Sequence, residues 1–130
     1  MTDPIADMFS RIKTALNVKA ESIDMPHSKM KESIAQILAS EGYIGAVDVL
    51  NRVEKKVLRL TFKYTPAKKS VINDLKRISK SGCRVYAESS KLPRVQSGYG
   101  LALISTSRGI MTDEKARAEK VGGEVVGYVW

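Results

Sequence analysis

The first apolar stripe of the chain is Ile5, Met8, Phe9, Ile12 and Leu16, with Asp7, Ser10, Arg11, Lys13 and Thr14 on the other side. Positions three and four apart share one helix face, so this spacing predicts a helix over about Pro4 to Asn17. Asp3-Pro4 is a start signal. A side-chain oxygen there accepts an otherwise orphan N–H, and proline in the first turn has no N–H to lose. Ile23 and Met25 then alternate with Ser22 and Asp24 as far as Pro26, the pattern of a short strand. Ser28 caps a second predicted helix, whose stripe is Met30, Ile34, Ile37 and Leu38 and whose end is Gly42. Tyr43 to Leu50 and Val57 to Tyr64 read as two strands joined by a polar turn at Asn51 to Lys56. In the second of these, Leu58, Leu60, Phe62 and Tyr64 alternate with Arg59, Thr61 and Lys63, giving one apolar and one basic face.

Thr65-Pro66-Ala67-Lys68-Lys69 reads as a connector and divides the chain into two lobes, residues 1–66 and 67–130. The segment that follows fits two descriptions. Val71, Ile72, Leu75 and Ile78 suit a helix capped by Ser70, yet the Ser81-Gly82 turn before Arg84-Val85-Tyr86 also suits a hairpin; periodicity alone prefers the helix. Beyond Gly98 and Gly100, Leu101-Ala102-Leu103-Ile104 is a continuous apolar run of the kind found in buried strands. Ser105-Thr106-Ser107-Arg108-Gly109 must turn, being polar and set between that run and Ile110-Met111. A short helix from Thr112 or Asp113 to Lys120 and a last strand from Glu124 to Trp130 complete an α+β pattern.

Charge sharpens the functional reading. The 130 residues carry 22 Lys and Arg against 14 Asp and Glu, a net charge of +8, while 43% of residues are apolar. Such a chain is foldable and basic, and its first-choice partners are polyanions, nucleic acid before an acidic membrane surface. Thirteen basic residues against three acids lie between Arg52 and Arg94, so the excess forms a belt inside folded sequence rather than a terminal arm. The single cysteine, Cys83, excludes an intramolecular disulfide and fits a reducing compartment. With no signal-like start and no apolar run of membrane-spanning length, a soluble cytoplasmic protein is expected.

The chemistry-bearing residues are few. His27 is the only histidine, and Cys83, in an apolar alternating stretch, is expected to be a small buried thiol rather than half of a dyad. One histidine and one cysteine do not make a zinc site, and no cofactor is expected. Asp113 and Glu114 complement a helix dipole. Ser105 to Gly109 is the most unusual polar cluster: three hydroxyls, one guanidinium and a glycine suit phosphate oxygens, 2′-hydroxyls and base edges. A polar hairpin turn or a phosphate-binding enzyme loop would look the same, although the spacing is not that of a Walker loop. Ser28-Lys29 is a helix start that could also receive phosphate. Tyr86 and Tyr128 fit either the core or a base-stacking platform, and Met8, Met25, Met30 and Met111 are expected as core filler.

Several stretches together carry a family resemblance that runs end to end. They are Asp3-Pro4-Ile5-Ala6-Asp7-Met8, Met25-Pro26-His27-Ser28-Lys29, Glu41-Gly42-Tyr43-Ile44, Arg77-Ile78-Ser79, Gly82-Cys83-Arg84-Val85-Tyr86 and Leu92-Pro93. Above all there is Ile104-Ser105-Thr106-Ser107-Arg108-Gly109-Ile110-Met111-Thr112, with Gly122-Gly123-Glu124 and Tyr128-Val129-Trp130 behind it. The chain resembles the bacterial small-subunit ribosomal protein eight family, with Thr14, Ser81, Arg108 and Gly127 departing from the family's usual residues.

The resemblance implies two tightly packed α/β lobes, the N-terminal one with two helices on a three-stranded sheet and the C-terminal one mostly β with a short helix. It also implies strand, against the periodicity, for Val71 to Ser79. It implies a non-enzymatic constituent of the small ribosomal subunit, located in the cytoplasm, that binds directly to the central domain of 16S rRNA and sits among neighbouring small-subunit proteins. Translational repression through an operon mRNA that mimics the rRNA site is the alternative. No membrane or small-molecule substrate is implied. Carried onto this chain, Ser105, Thr106, Ser107, Arg108 and Gly109 would contact the distorted core of an irregular rRNA helix. Tyr86 would stack on a base with Glu124 hydrogen-bonding nearby, and Arg84 would be a further RNA-binding residue. Thr2, Asp3, Arg11, Ser28 and Lys29 would meet sugar-phosphate and minor-groove groups.

Overall fold

The computed structural model describes residues 3–130, which form two compact units, residues 4–72 and residue 3 with residues 73–130. In the first unit, helix α1 spans Pro4–Asn17 and buries Ile5, Met8, Phe9 and Ile12 of the predicted stripe; Ala15 is buried in place of Leu16, which is only partly covered. Strand β1 (Ser22–Pro26) leads to helix α2 (Lys29–Ser40), where Ser28 Oγ accepts the Lys31 N–H at 3.1 Å. Strands β2 (Ala46–Asn51) and β3 (Lys56–Thr61) form a hairpin, and β3 is central in an antiparallel sheet of order β1-β3-β2. Pro26 lies on an edge strand, where its missing N–H breaks no ladder. Helix α1 packs on β1 and α2 on β2. Met30 is a correction to the predicted α2 stripe: it is 38% exposed, and Lys31, Ile34, Ala35 and Leu38 are the buried positions instead. Lys31 reaches that face because its stem packs while Nζ donates to the Pro26 carbonyl at 3.2 Å.

The second unit is a five-stranded antiparallel sheet built around its last strand. Strands β4 (Leu75–Arg77) and β5 (Tyr86–Ala87) pair with opposite ends of one edge of β8 (Gly123–Val129). Strand β6 (Leu101–Thr106) pairs with the other edge of β8, and β7 (Gly109–Thr112) pairs with β6. Residues 71–79 are therefore not helical, and strand covers only Leu75–Arg77 of the Val71 to Ser79 that the resemblance implies. Leu75 to Arg77 bond to β8, and the Ile78 and Ser79 N–H groups reach the Val126 and Val125 carbonyls at 3.1 Å each. A partner about fifty residues away in sequence overrides a weak local period.

Helix α3 (Asp113–Glu119) is capped by Thr112 and packs on β6 and β7 over a core of Leu92, Val95, Ala102, Ile104, Met111, Ala116 and Val125. Asp113 does more than complement a dipole. It is 4% exposed, its Oδ1 accepts the Ala102 N–H at 3.0 Å, and its Oδ2 accepts from Arg117. No described helix is long and apolar enough to cross a membrane.

Candidate nucleic-acid interface

Sheet register brings three of the sequence-predicted residues into one row. Tyr86 on β5 stands opposite Glu124 on β8, and Glu124 stands opposite Ser105 on β6. Directly opposed residues of an antiparallel pair point to the same face. Their chain neighbours Ala87, Val125 and Ile104 belong to the α3 core, so the row occupies the opposite face of the sheet. Tyr86 is 70% exposed, which settles its two readings in favour of a surface ring, whereas Tyr128 packs half-buried against the core.

Glu124 is held from one side. Oε2 accepts the Ser79 hydroxyl at 2.5 Å and Arg84 Nη1 at 3.0 Å. The Ser79 hydrogen bond, followed by the nearby Arg84 and Arg77 guanidiniums, keeps this carboxyl below the ordinary glutamate range, with partial burial acting the other way. A carboxylate that is ionised and an aromatic ring that is exposed thus stand side by side in a basic chain.

Beside the row, the β6–β7 hairpin turns through Ser107 and Arg108. Thr106 Oγ1 donates to the Gly109 carbonyl at 2.8 Å and accepts the Arg108 N–H at 3.1 Å, so its hydroxyl shapes the turn. Gly109 takes φ 106°, a conformation open to glycine at little cost. Ser107, Arg108 and Gly109 are exposed, and Arg108 Nη1 reaches Glu119 Oε1 at 3.2 Å. Gly123 is required by contact rather than by angle: a Cβ there would lie 2.1 Å from the Ser105 carbonyl oxygen.

The remaining predicted residues are placed elsewhere. Asp3 pairs with Arg77, whose Nε lies 3.1 Å from Asp3 Oδ2 while Nη1 donates to the Val126 carbonyl at 2.7 Å. In the other unit, Arg11 donates to Asp7 at 2.8 Å, Ser28 caps α2, and Lys29 is exposed. Thr2 lies outside the described residues.

The basic belt is divided, with Arg52 to Lys69 in one unit and Lys76 to Arg94 in the other. Arg59, Arg77 and Arg84 are engaged by Asp24, Asp3 and Glu124. Cys83 is exposed, a correction to the buried thiol, because it closes the two-residue Ser81-Gly82 turn against Lys80 rather than extending a buried strand. His27 is paired with Glu32 at 2.6 Å. Sequence reasoning assigned no role to Ser79 or Arg77, although both lie in a stretch that carries the family resemblance.

The structure thus places an exposed ring, an oriented acceptor and a hydroxyl turn on a basic α+β scaffold. The family described as Ribosomal protein S8 matches this chain over residues 3–130. A protein of Acetivibrio thermocellus named small ribosomal subunit protein uS8 is 55% identical over 129 residues, covering 99% of this chain and 98% of its own. The protein of that name from Caldanaerobacter subterraneus subsp. tengcongensis is 53% identical over 130 residues, covering 100% and 98%. The chain belongs to the ribosomal protein S8 family, whose members are structural and not enzymatic.

Proposed function

We propose that this chain is a constituent of the small ribosomal subunit that binds directly to the central domain of 16S rRNA and helps that domain assemble. It works in the cytoplasm, within the ribosome and among neighbouring small-subunit proteins. One observation carries the reading: Tyr86, Glu124 and Ser105 share a row beside an exposed hydroxyl turn, in a chain whose relatives are named small ribosomal subunit proteins.

A-form RNA hides its major groove, so selection must use shape, the minor groove and unstacked bases. An exposed Tyr86 ring supplies a stacking surface and Glu124 an acceptor, while Ser107 and the Gly109 backbone can approach a distorted helix closely. Arg84 and Arg108, with Arg11 and Lys29 of the other unit, supply phosphate attraction. Thr106 serves the site by fixing the turn, and Asp3 by holding Arg77.

Footprinting of the purified protein on 16S rRNA tests this. Protection confined to an irregular helix of the central domain is expected, and uniform weak protection along the whole molecule would refute it. An operon transcript that copied the rRNA site would offer the same groups to the same row, so translational repression needs no second surface. Protection of that transcript, lost when 16S rRNA is added in excess, is the corresponding result.

A further inference from the structure

Ser79 has no exposed surface, yet its hydroxyl is used twice. Oγ accepts the Val85 N–H at 3.1 Å and donates to Glu124 Oε2 at 2.5 Å. Arg84 donates to that same oxygen, and Oε1 has no protein partner among the described residues. A serine needed only to satisfy the Val85 N–H would not have to donate to a carboxylate on the neighbouring strand. A glutamate on a solvated sheet face ordinarily samples several rotamers, and ordering it costs entropy when a ligand binds. Here two donors from residues 79–84 have already ordered it.

The orientation matters because an ionised carboxylate can only accept. Set among basic residues, it repels phosphate oxygens and rewards only a ligand N–H or O–H. Resting on the rRNA-binding reading, we propose that Ser79 is a positioning residue for RNA selection: its hydroxyl fixes Glu124 so that Oε1 is presented to a donor group of the bound RNA beside Tyr86. Arg84, exposed and bound to the same oxygen, assists the orientation and contributes charge, whereas Ser79, fully buried, touches no ligand.

The test is a double-mutant cycle on the full chain, measuring Kd for a 16S rRNA transcript and for total tRNA as a non-cognate probe. Ser79→Ala and Glu124→Ala are each expected to weaken 16S rRNA binding by about tenfold, the size of one lost charge-assisted hydrogen bond. The double variant should be within about twofold of Glu124→Ala alone, because no carboxylate remains to be positioned. Binding to tRNA should be unchanged throughout, and Ser79→Thr, which keeps the hydroxyl, should retain most of the affinity. If Ser79→Ala is unfolded by circular dichroism, Ser79→Cys, similar in size and a weaker donor, takes its place in the cycle. Equal losses from the Ser79 substitution with and without Glu124, or no loss, overturn the positioning role while leaving the functional reading intact. A wild-type protein that does not distinguish 16S rRNA from tRNA overturns both.

Discussion

Thr106 closes the β6–β7 hairpin on Gly109 through its own side chain, donating to the Gly109 carbonyl at 2.8 Å while taking the Arg108 N–H on the same oxygen. Ser107, one residue on, is exposed. The hydroxyls of this loop therefore do different work, and substitutions should separate them. Thr106→Ala is expected to lower stability by about 1 kcal/mol, seen as a lower Tm, because it removes both turn bonds. Ser107→Ala should leave stability within about 0.5 kcal/mol while weakening 16S rRNA binding. The reverse pattern would assign the turn to Ser107 and the contact to Thr106.

Gly123 is pressed against the strand that carries the hydroxyl loop. A Cβ there would sit 2.1 Å from the Ser105 carbonyl oxygen and 2.9 Å from its carbon, so β6 or β8 would have to move. Gly123→Ala should cost about 2–3 kcal/mol in denaturant unfolding. Gly82→Ala is the control, since a Cβ at Gly82 meets nothing within 4 Å. Its expected effect is below about 0.5 kcal/mol.

Glu124 ties acid stability to the interface. Its carboxyl is depressed in the folded protein, first by Ser79 and then by Arg84 and Arg77. An unfolded glutamate titrates at roughly 4.3, so the stabilisation is complete above that pH and is lost as pH falls through the lower folded value. In unfolding measurements across the acid range, Glu124→Gln should be less stable than wild type near neutrality and converge with it at low pH. A constant difference at every pH would mean that Glu124 is not preferentially ionised in the fold.

Asp113 is the buried acid on which α3 and β6 meet, through the Ala102 N–H and Arg117. Asp113→Ala leaves a buried N–H without its acceptor and deprives the Arg117 guanidinium of its carboxylate, leaving it only the Pro93 carbonyl at 3.4 Å. A loss of about 2–3 kcal/mol is expected in thermal or denaturant melts. Asp113→Asn, which can still accept from Ala102, should lose less.

Local signals carried the first unit well. Asp3-Pro4 and a stripe of five apolar residues place α1 over Pro4–Asn17, and Ser28 caps α2 as its sequence predicts. Such features depend on residues within one or two turns of each other. The second unit depends on distant pairing, and there local reading fails at residues 71–79, where β8 supplies the bonds that turn a helical period into strand. Cys83 is exposed for a related reason: the Ser81-Gly82 turn is readable, but not that Cys83 only bridges back to Lys80 outside the named strands. The hydroxyl loop was legible because its composition is unusual. The row was not, since Tyr86, Ser105 and Glu124 meet only through strand register, and neither was Ser79, whose partner lies 45 residues on.

The position of β8 in the sheet also sets an order of events during synthesis. Gly123–Val129 follows β4, β5 and β6 in the chain and pairs with all three. A nascent chain that has passed Thr112 but not yet delivered residues 123–129 has a β6–β7 hairpin whose β6 edge is open as well as its β7 edge, and β4 and β5 have no strand to join. Open edges and uncovered apolar faces are hazards for any chain. Residues 4–72, by contrast, already contain every strand of their own sheet. Vectorial synthesis therefore delivers every strand of the first unit before residue 73, while the row of Tyr86, Glu124 and Ser105 cannot assemble until Glu124 has been added.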